Sequence, residues 1–420
     1  MKCRHCQTKL ENIFLDLVNC PPSNAMLTEN QLNEPEVYLP LKVSVCKKCR
    51  LVSVTAITDA SLIFNDNYTY FSSYSKSWLA HAKSYVDMMI SRFHLNGGTK
   101  VIEIASNDGY LLQYFKQQNF DVLGIDPTAN TAEAAEQKGI KTIVDFFGSE
   151  FAQTQLVDQG ILGNLIIGNN VLAHVPNIND FVLGMKKALH PSGIITMEFP
   201  HLLKLVEECQ FDTIYHEHYS YLSFTTTKNI FESVGLEMFD VEEIPTHGGS
   251  LRIFAKHKED SSKEISPNVD NLLKKEDLAG MNKDEYYQNF ADKVNKIKND
   301  FLRFLLDAHQ QGKKVIGYGA AAKGNTLINY CAIKGNDLIE YVVDASPAKQ
   351  NKYLPGSHIP VCSIEKIQET KPDYIIILPW NLKNEIVNQL SFTSEWGCKF
   401  VTAIPHLEVF QYHDNRIIVD

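Results

Sequence analysis

Hydrophobic and polar positions fall into two long blocks of alternating character, preceded by a short segment of a different kind. Between Thr99 and about Lys256, short apolar runs at 100–105, 121–125, 141–144, 164–168, 193–198 and 251–255 are separated by stretches of helical spacing. Strands spaced by helices of this length predict a doubly wound α/β domain. The pattern restarts after Gly312, with runs at 314–318, 339–344, 374–378 and 399–403, and predicts a second, smaller Rossmann-like α/β domain. Ahead of the first block, Trp78, Leu79, Ala82, Tyr85, Val86 and Met89 recur at three- and four-residue steps and predict a helix over 75–93. Phe290, Val294, Ile297, Phe301, Leu305 and Ala308 predict a long amphipathic helix that docks the last domain. Residues 257–285 are polar, have no periodic apolar face, and read as a surface connection. The expected division is 1–65, 66–258, 259–311 (linker and packing helices) and 312–420.

Composition narrows the class without naming a chemistry. The 420 residues are 44% hydrophobic and 21% charged, an ordinary globular balance. A formal charge of −10 argues against a nucleic-acid partner. No apolar run reaches the ~18 residues of a membrane helix, and the charged start has no apolar stretch behind it, so a cytoplasmic protein is expected.

Five of the nine cysteines lie within the first 49 residues. Cys3-x-x-Cys6 and Cys46-x-x-Cys49 are two knuckles, each aiming two thiolates at one point, and together they predict a closed tetrahedral zinc site. With four protein ligands it has no open position, so its expected role is structural. Cys20 and His5 rank well below these four as ligands.

The segment 101–110 reads as strand, tight turn and helix start, where small residues let a cofactor approach the backbone. Glu103, Ala105, Asn107, Asp108 and Gly109 are its candidate cofactor contacts. The next strand ends at Asp126, whose carboxylate is suited to both hydroxyls of a ribose. Asp145 and Phe146 end the third strand, positioned for an adenine amino group and ring, and Asn169 closes the fourth. A dinucleotide site expects G-x-G-x-x-G, and this turn has only Gly109. The series resembles the S-adenosylmethionine-dependent methyltransferase fold instead.

In the second domain, Gly317-Tyr-Gly319-Ala-Ala-Ala-Lys323-Gly-Asn325 is another strand, glycine turn and helix start, an amide nest for phosphate to which Lys323 adds charge. Asp344 ends the next strand, followed by Lys349, Lys352 and a loop bearing His358. Within the first of the two blocks, Tyr215-His216-Glu217-His218-Tyr219-Ser-Tyr221 concentrates bases, a carboxylate and phenols. If extended, Tyr215, Glu217 and Tyr219 face one side and His216 and His218 the other. Such a set supplies a base, an orienting carboxylate and donors for an oxyanion.

The cysteine module, E-I-x-S-N-D-G, N-N-V-L-A-H-V, Y-H-E-H-Y-S-Y, His247-Gly-Gly-Ser-Leu-Arg and G-Y-G-A-A-A-K-G together resemble the sugar C-methyltransferases that act on nucleotide-linked 4-keto deoxysugars. The likeness runs over essentially the whole chain, with Ala105 where that family more often has Gly. It implies S-adenosylmethionine in the middle domain and methylation at C3, beside the keto group. It implies His218 as base with Tyr215 as second choice, Glu217 orienting the cluster, and His174 and Tyr70 holding the sugar or its oxyanion. Tyr68, Ser72, His216 and His247 are further implied sugar contacts. Gly319, Lys323, Asn325, Asp344, Lys352, His358 and Trp380 are implied contacts for the diphosphate and nucleoside, a dTDP or GDP unit. A monomer is the default. Two rival readings are an NAD(P)-dependent oxidoreductase of a nucleotide sugar, using the second glycine turn, and a non-catalytic zinc-ribbon regulator.

Overall fold

The computed structural model describes residues 1–55, 60–64, 70–335, 337–413 and 416–419. In chain order the first strands are β1 (Asn12–Cys20), β2 (Leu39–Val45) and β3 (Val52–Val54). The middle block contributes β4 (Lys100–Ile104), β5 (Asp121–Asp126), β6 (Thr142–Val144), β7 (Gly163–Asn169), β8 (Leu189–Pro200), β9 (Ser220–Tyr221), β10 (Leu236–Ile244) and β11 (Ser250–His257). The last block contributes β12 (Val315–Tyr318), β13 (Val342–Val343), β14 (Lys352–Tyr353), β15 (Pro360–Cys362), β16 (Tyr374–Ile377), β17 (Lys399–Thr402), β18 (Glu408–His413) and β19 (Arg416–Val419).

The middle sheet has the order β10-β11-β8-β7-β4-β5-β6, with β8, β7, β4, β5 and β6 parallel to one another and β11 antiparallel to both β8 and β10. Its strand order changes direction between β4 and β7, and in open α/β sheets that crevice beyond the strand C-termini is where ligands bind. The last sheet, β14-β15-β13-β12-β16-β17-β18-β19, repeats the device with its own parallel centre. Strand β10 escapes periodicity because a bulge between Met238 and Asp240 breaks the two-residue repeat and buries Met238 and Phe239 together.

The stretch expected to be a surface connection is instead organised around the helix Pro267–Ala279. Ser266 caps it and Pro267 takes its first turn, where no N–H is needed. Its buried face is Val269, Leu272 and Glu276, and the third member is a carboxylate, so an apolar count misses the period. Glu276 is satisfied by the His201 ring (2.7 Å) and by the N–H groups of Phe224 and Thr225 at the start of the helix Phe224–Ser233.

The helix Phe290–Gln310 buries the six residues picked out by spacing. Phe290 stacks on Phe14 of β1 at 4.5 Å, and one apolar core runs from β1 and β2 through this helix to Val315, Leu354 and Val401 of the last domain. The N-terminal module is therefore built into the molecule rather than appended to it. Its sheet, β1-β2-β3-β9, even takes its fourth strand from the middle block. Among the described residues no helix is long and apolar enough to cross a membrane.

Candidate active site

Beyond the C-terminal ends of β4, β5 and β7 lies a cleft with about 1820 Å3 of empty space, part of it open to solvent. All three parts of the chain line it.

At the β4–β5 end, Ala105 and Asn107 take left-handed backbone angles (φ 57° and 49°), which turns the Asn107 N–H onto Asp126 Oδ2 at 2.8 Å. Asp126 Oδ1 accepts from the N–H and hydroxyl of Thr128 and from the hydroxyl of Thr131. The Asn107 side chain accepts from the Ser72 N–H and donates to the Tyr70 carbonyl, pinning the segment before the helix Lys76–Phe93 over the turn. Asp145 and Phe146 line the rim, both exposed. Asn169 is buried, faces the cavity and has the Tyr110 hydroxyl as its neighbour.

Three expected cofactor residues do not line the cavity. Glu103 lies buried beneath it, and burial, reinforced by Asp126, pushes its carboxyl well above the usual range. Asp108 is occupied by Lys138 at 3.3 Å and by the Ser73 N–H. Gly109 supplies a φ of 72° against Ile140, where a Cβ would clash.

The Tyr-His-Glu-His run is a turn, not an extended strand. The His218 N–H closes onto the Tyr215 carbonyl at 3.0 Å, which brings Tyr215 and His218 to the same side. The Tyr215 hydroxyl lies 3.0 Å from His218 Nε2. His218 Nδ1 sits 2.8 Å from the Thr213 carbonyl, which can only accept, so Nδ1 carries the proton and Nε2 is left as acceptor. Burial, with His174 and Lys323 nearby, holds the His218 pKa well below the ordinary histidine value. Burial and Glu217 drive Tyr215 well above the ordinary phenol value. The resting pair is therefore neutral imidazole and neutral phenol. His174 stands edge-on to His218 at 4.6 Å and is lowered to about 4 by burial. Glu217 is raised to about 7 by burial, opposed by a hydrogen bond from Asn24 and by Lys349. His216 turns away, its Nε2 donating to the Leu39 carbonyl at 3.2 Å, and does not line the cavity.

His247 lines the cavity in a left-handed conformation (φ 55°), its ring edge-on to Trp78 at 5.1 Å. Tyr70 and Ser72 also line the cavity, and Tyr68 lies outside the described residues.

The last domain supplies Ala321, Ala322, Lys323 and Lys349 to the cavity wall. Lys323, in the first turn of the helix Ala322–Tyr330, packs its ammonium 4.7 Å from the Trp380 ring and donates to Asn381 Oδ1 at 2.7 Å. Burial lowers its pKa, and Asp212 opposes that. Six implied substrate residues of this domain stand outside the cavity. The Trp380 indole N–H is committed to Asp212 Oδ2 at 2.9 Å, and His358 Nε2 to Glu36 at 3.0 Å. Asp344 accepts the Ala320 N–H at 2.7 Å, Gly319 packs against Pro379, and Asn325 is buried against Asn329. Lys352 lies in β14, the edge strand of the sheet, while Lys349 takes the cavity position.

The sulfurs of Cys3, Cys6, Cys46 and Cys49 lie within 4.8 Å of one another, with Cys3–Cys49 and Cys6–Cys46 at 3.5 Å. Zinc–sulfur bonds of ~2.3 Å require edges of about 3.8 Å, so the set fits a tetrahedral zinc with no open position. Cys20 contacts the Leu17 carbonyl and His5 contacts Asn179, away from it.

Sequence reasoning missed Asn24, Trp78 and Tyr110 as cavity residues. Trp78 counted as a packing residue and Tyr110 only as the end of the first turn, and their stacking at 5.9 Å needs the fold to be seen. Nothing in the Pro-Pro-Ser-Asn loop marks Asn24.

Known proteins resemble the chain along most of its length. Family models match as "Putative zinc binding domain" over residues 3–64, methyltransferase domain over 78–241 and C-methyltransferase C-terminal domain over 245–405. The C-methyltransferase NovU of Streptomyces niveus is 33% identical over 411 residues, covering 97% of this chain and 96% of its own. Among solved structures, the PH0226 protein of Pyrococcus horikoshii OT3 is 13% identical, covers 48% of this chain and 100% of its own, and has a TM-score of 0.37. The magnesium protoporphyrin IX methyltransferase of Synechocystis PCC 6803 with bound S-adenosylmethionine is 14% identical, with 48% and 98% coverage and a TM-score of 0.37. A relative this similar along nearly the whole length, with family models over all three parts, places the chain in the C-methyltransferase family: it is an S-adenosylmethionine-dependent methyltransferase with a cysteine-bound zinc module.

Proposed function

We propose that the enzyme methylates C3 of a nucleotide-linked 4-keto deoxysugar, in the cytoplasm, as a step in deoxysugar biosynthesis. The observation that carries this reading is one cavity holding both the Tyr215–His218 pair and two lysines from the last domain, Lys323 and Lys349. A diphosphate suits the lysines and the free N–H groups at the start of the helix Ala322–Tyr330. The four-part division of the chain follows the same logic, with residues 312–420 gripping the nucleotide.

Bound S-adenosylmethionine supplies an electrophilic methyl group. Asp126 accepts its ribose hydroxyls as the Thr128 and Thr131 hydroxyls rotate away, Asp145 and Phe146 meet the adenine, and Asn169 completes the wall. On the sugar side, the hydrogen on C3 is acidified by the adjacent carbonyl. His218 Nε2 receives that proton, directly or through the Tyr215 oxygen, while the Nδ1–H bond to Thr213 keeps the ring oriented. Tyr215 is too firmly neutral to be the standing base. His174 and Tyr70 face the enolate oxygen, and Glu217 orients the sugar with His247 and Ser72. The resulting carbon nucleophile takes the methyl group.

The test is product mass spectrometry across dTDP- and GDP-linked 4-keto-6-deoxy sugars with S-adenosylmethionine, run in deuterated water. A methylated product and solvent deuterium entering C3 are expected, and His218→Asn should abolish both while cofactor binding persists. Absence of methylated product and exchange with every sugar of the panel overturns the reading.

A further inference from the structure

The zinc module reaches the catalytic turn at three places. Strand β3 pairs with β9, and the Val54 N–H donates to the Tyr219 carbonyl at 3.1 Å, directly after the turn. His216 donates to the Leu39 carbonyl at the start of β2. The loop that follows β1 carries Asn24 into the cavity, where its Nδ2 donates to Glu217 Oε1 at 2.6 Å. This loop is fixed from the other side as well. Leu27 bridges to Tyr353 of the last domain, and Ser23 Oγ stands 3.5 Å from Thr326 Oγ1, which donates to the Ile214 carbonyl.

We propose that the zinc module takes part in the reaction as a positioning element, and that Asn24 is the residue through which it acts, fixing the direction and favouring the ionised form of the Glu217 carboxyl. The inference rests on the reading above that Glu217 meets the substrate. An amide N–H bonded to one carboxylate oxygen stabilises the anion and removes one rotational freedom, and such charge-assisted bonds are about twice as strong as neutral ones. Glu217 is otherwise faced by Lys349, whose charge acts in the same sense, and by Tyr215, while the His174 ring meets its backbone rather than its carboxyl. The knuckle beginning at Cys46 directly follows β2, and β2 pairs with β1, the strand that leads to Asn24.

The experiment uses the full-length zinc-loaded enzyme with Asn24→Ala and Asn24→Asp. Asn24 is a half-buried loop residue, so neither change removes core. Asn24→Ala should lower kcat about tenfold with KM and S-adenosylhomocysteine affinity nearly unchanged. The acid limb of the kcat–pH profile should move upward, because loss of the donor lets Glu217 keep its proton to higher pH. Asn24→Asp, which places a second carboxyl there, should move the limb further. The same rise is read without any sugar by 13C NMR titration of labelled Glu217. An unchanged Glu217 titration overturns the inference. A wild-type enzyme that methylates no 4-keto sugar overturns the substrate reading instead, and the NMR arm still decides the role of Asn24.

Discussion

The turns after β4 and after β12 are built alike and face their ligands differently. In each, an aspartate at the tip of the neighbouring strand takes a turn N–H: Asp126 takes that of Asn107 at 2.8 Å, and Asp344 that of Ala320 at 2.7 Å. In each, a residue with positive φ makes room for that bond, Ala105 and Asn107 in the first and Gly319 in the second. Only Asp126 also lines the cavity, whereas Asp344 looks to Ala320, Ser346 and Lys349. The cavity thus meets a carboxylate at its first turn and two ammonium groups at its second. The shared aspartate is a clamp of the fold, and the sign of the ligand is set by which side chain reaches past it.

The comparison breaks most readily on the pair Asp126→Ala and Asp344→Ala. The first removes both the ribose acceptor and the anchor of the Asn107 N–H. Its affinity for S-adenosylhomocysteine, measured calorimetrically, should fall by about 100-fold, the worth of two charge-assisted hydrogen bonds. The second should lower thermal stability while changing the nucleotide-sugar KM less than about threefold. If Asp344→Ala loses the sugar as severely as Asp126→Ala loses the cofactor, the two turns are equivalent and the distinction fails.

Next in size is the loss of either ammonium. Lys323→Ala or Lys349→Ala should raise the KM for the nucleotide sugar about tenfold and leave cofactor affinity unchanged, since each removes one contact to a doubly charged diphosphate. Inorganic phosphate or a nucleoside diphosphate should compete against the sugar in the wild type and weakly in either variant. A matching loss of cofactor affinity would place the lysines at the wrong ligand.

These turns also show how far the sequence could be read. Strand tips are legible because an apolar run ending in Asp or Asn is a local pattern, so Asp126, Asp145 and Asn169 were found at the cavity. The same local pattern could not separate Asp126 from Asp344, because cavity exposure depends on what packs opposite. Trp380 and His358 look like ligands in a polar loop, yet each is spent on an interdomain bond, to Asp212 and Glu36. Those partners are 168 and 322 positions away along the chain, beyond any spacing rule. The Tyr215–His218 pair was legible as residue types, but the period-two reading put its members on opposite faces. A turn closed by a backbone hydrogen bond, held by a strand from the zinc module, brings them together.

The smallest effect tests the seam where the two halves meet. Asp212, buried in the middle domain, accepts from the Trp380 indole and is raised to about 7 by burial, opposed by Lys323. In the unfolded chain the same carboxyl releases its proton near ~4. Between those values the unfolded state binds fewer protons than the folded one, so Asp212 makes wild-type stability fall as pH rises from about 4 to 7. Asp212→Asn keeps an acceptor for Trp380 and removes that slope, at the cost of placing an amide N–H in a buried position beside the backbone N–H groups of residues 212 and 213. Relative to wild type the variant should therefore be no more stable at pH 5, and should gain on it steadily up to pH 8, by about 3 °C in Tm. Melting curves at four pH values read this directly. Parallel wild-type and variant curves across the range would mean that Lys323 neutralises Asp212 completely, and the seam would then be an ion pair rather than a buried acid set beside a lysine free to meet an anion.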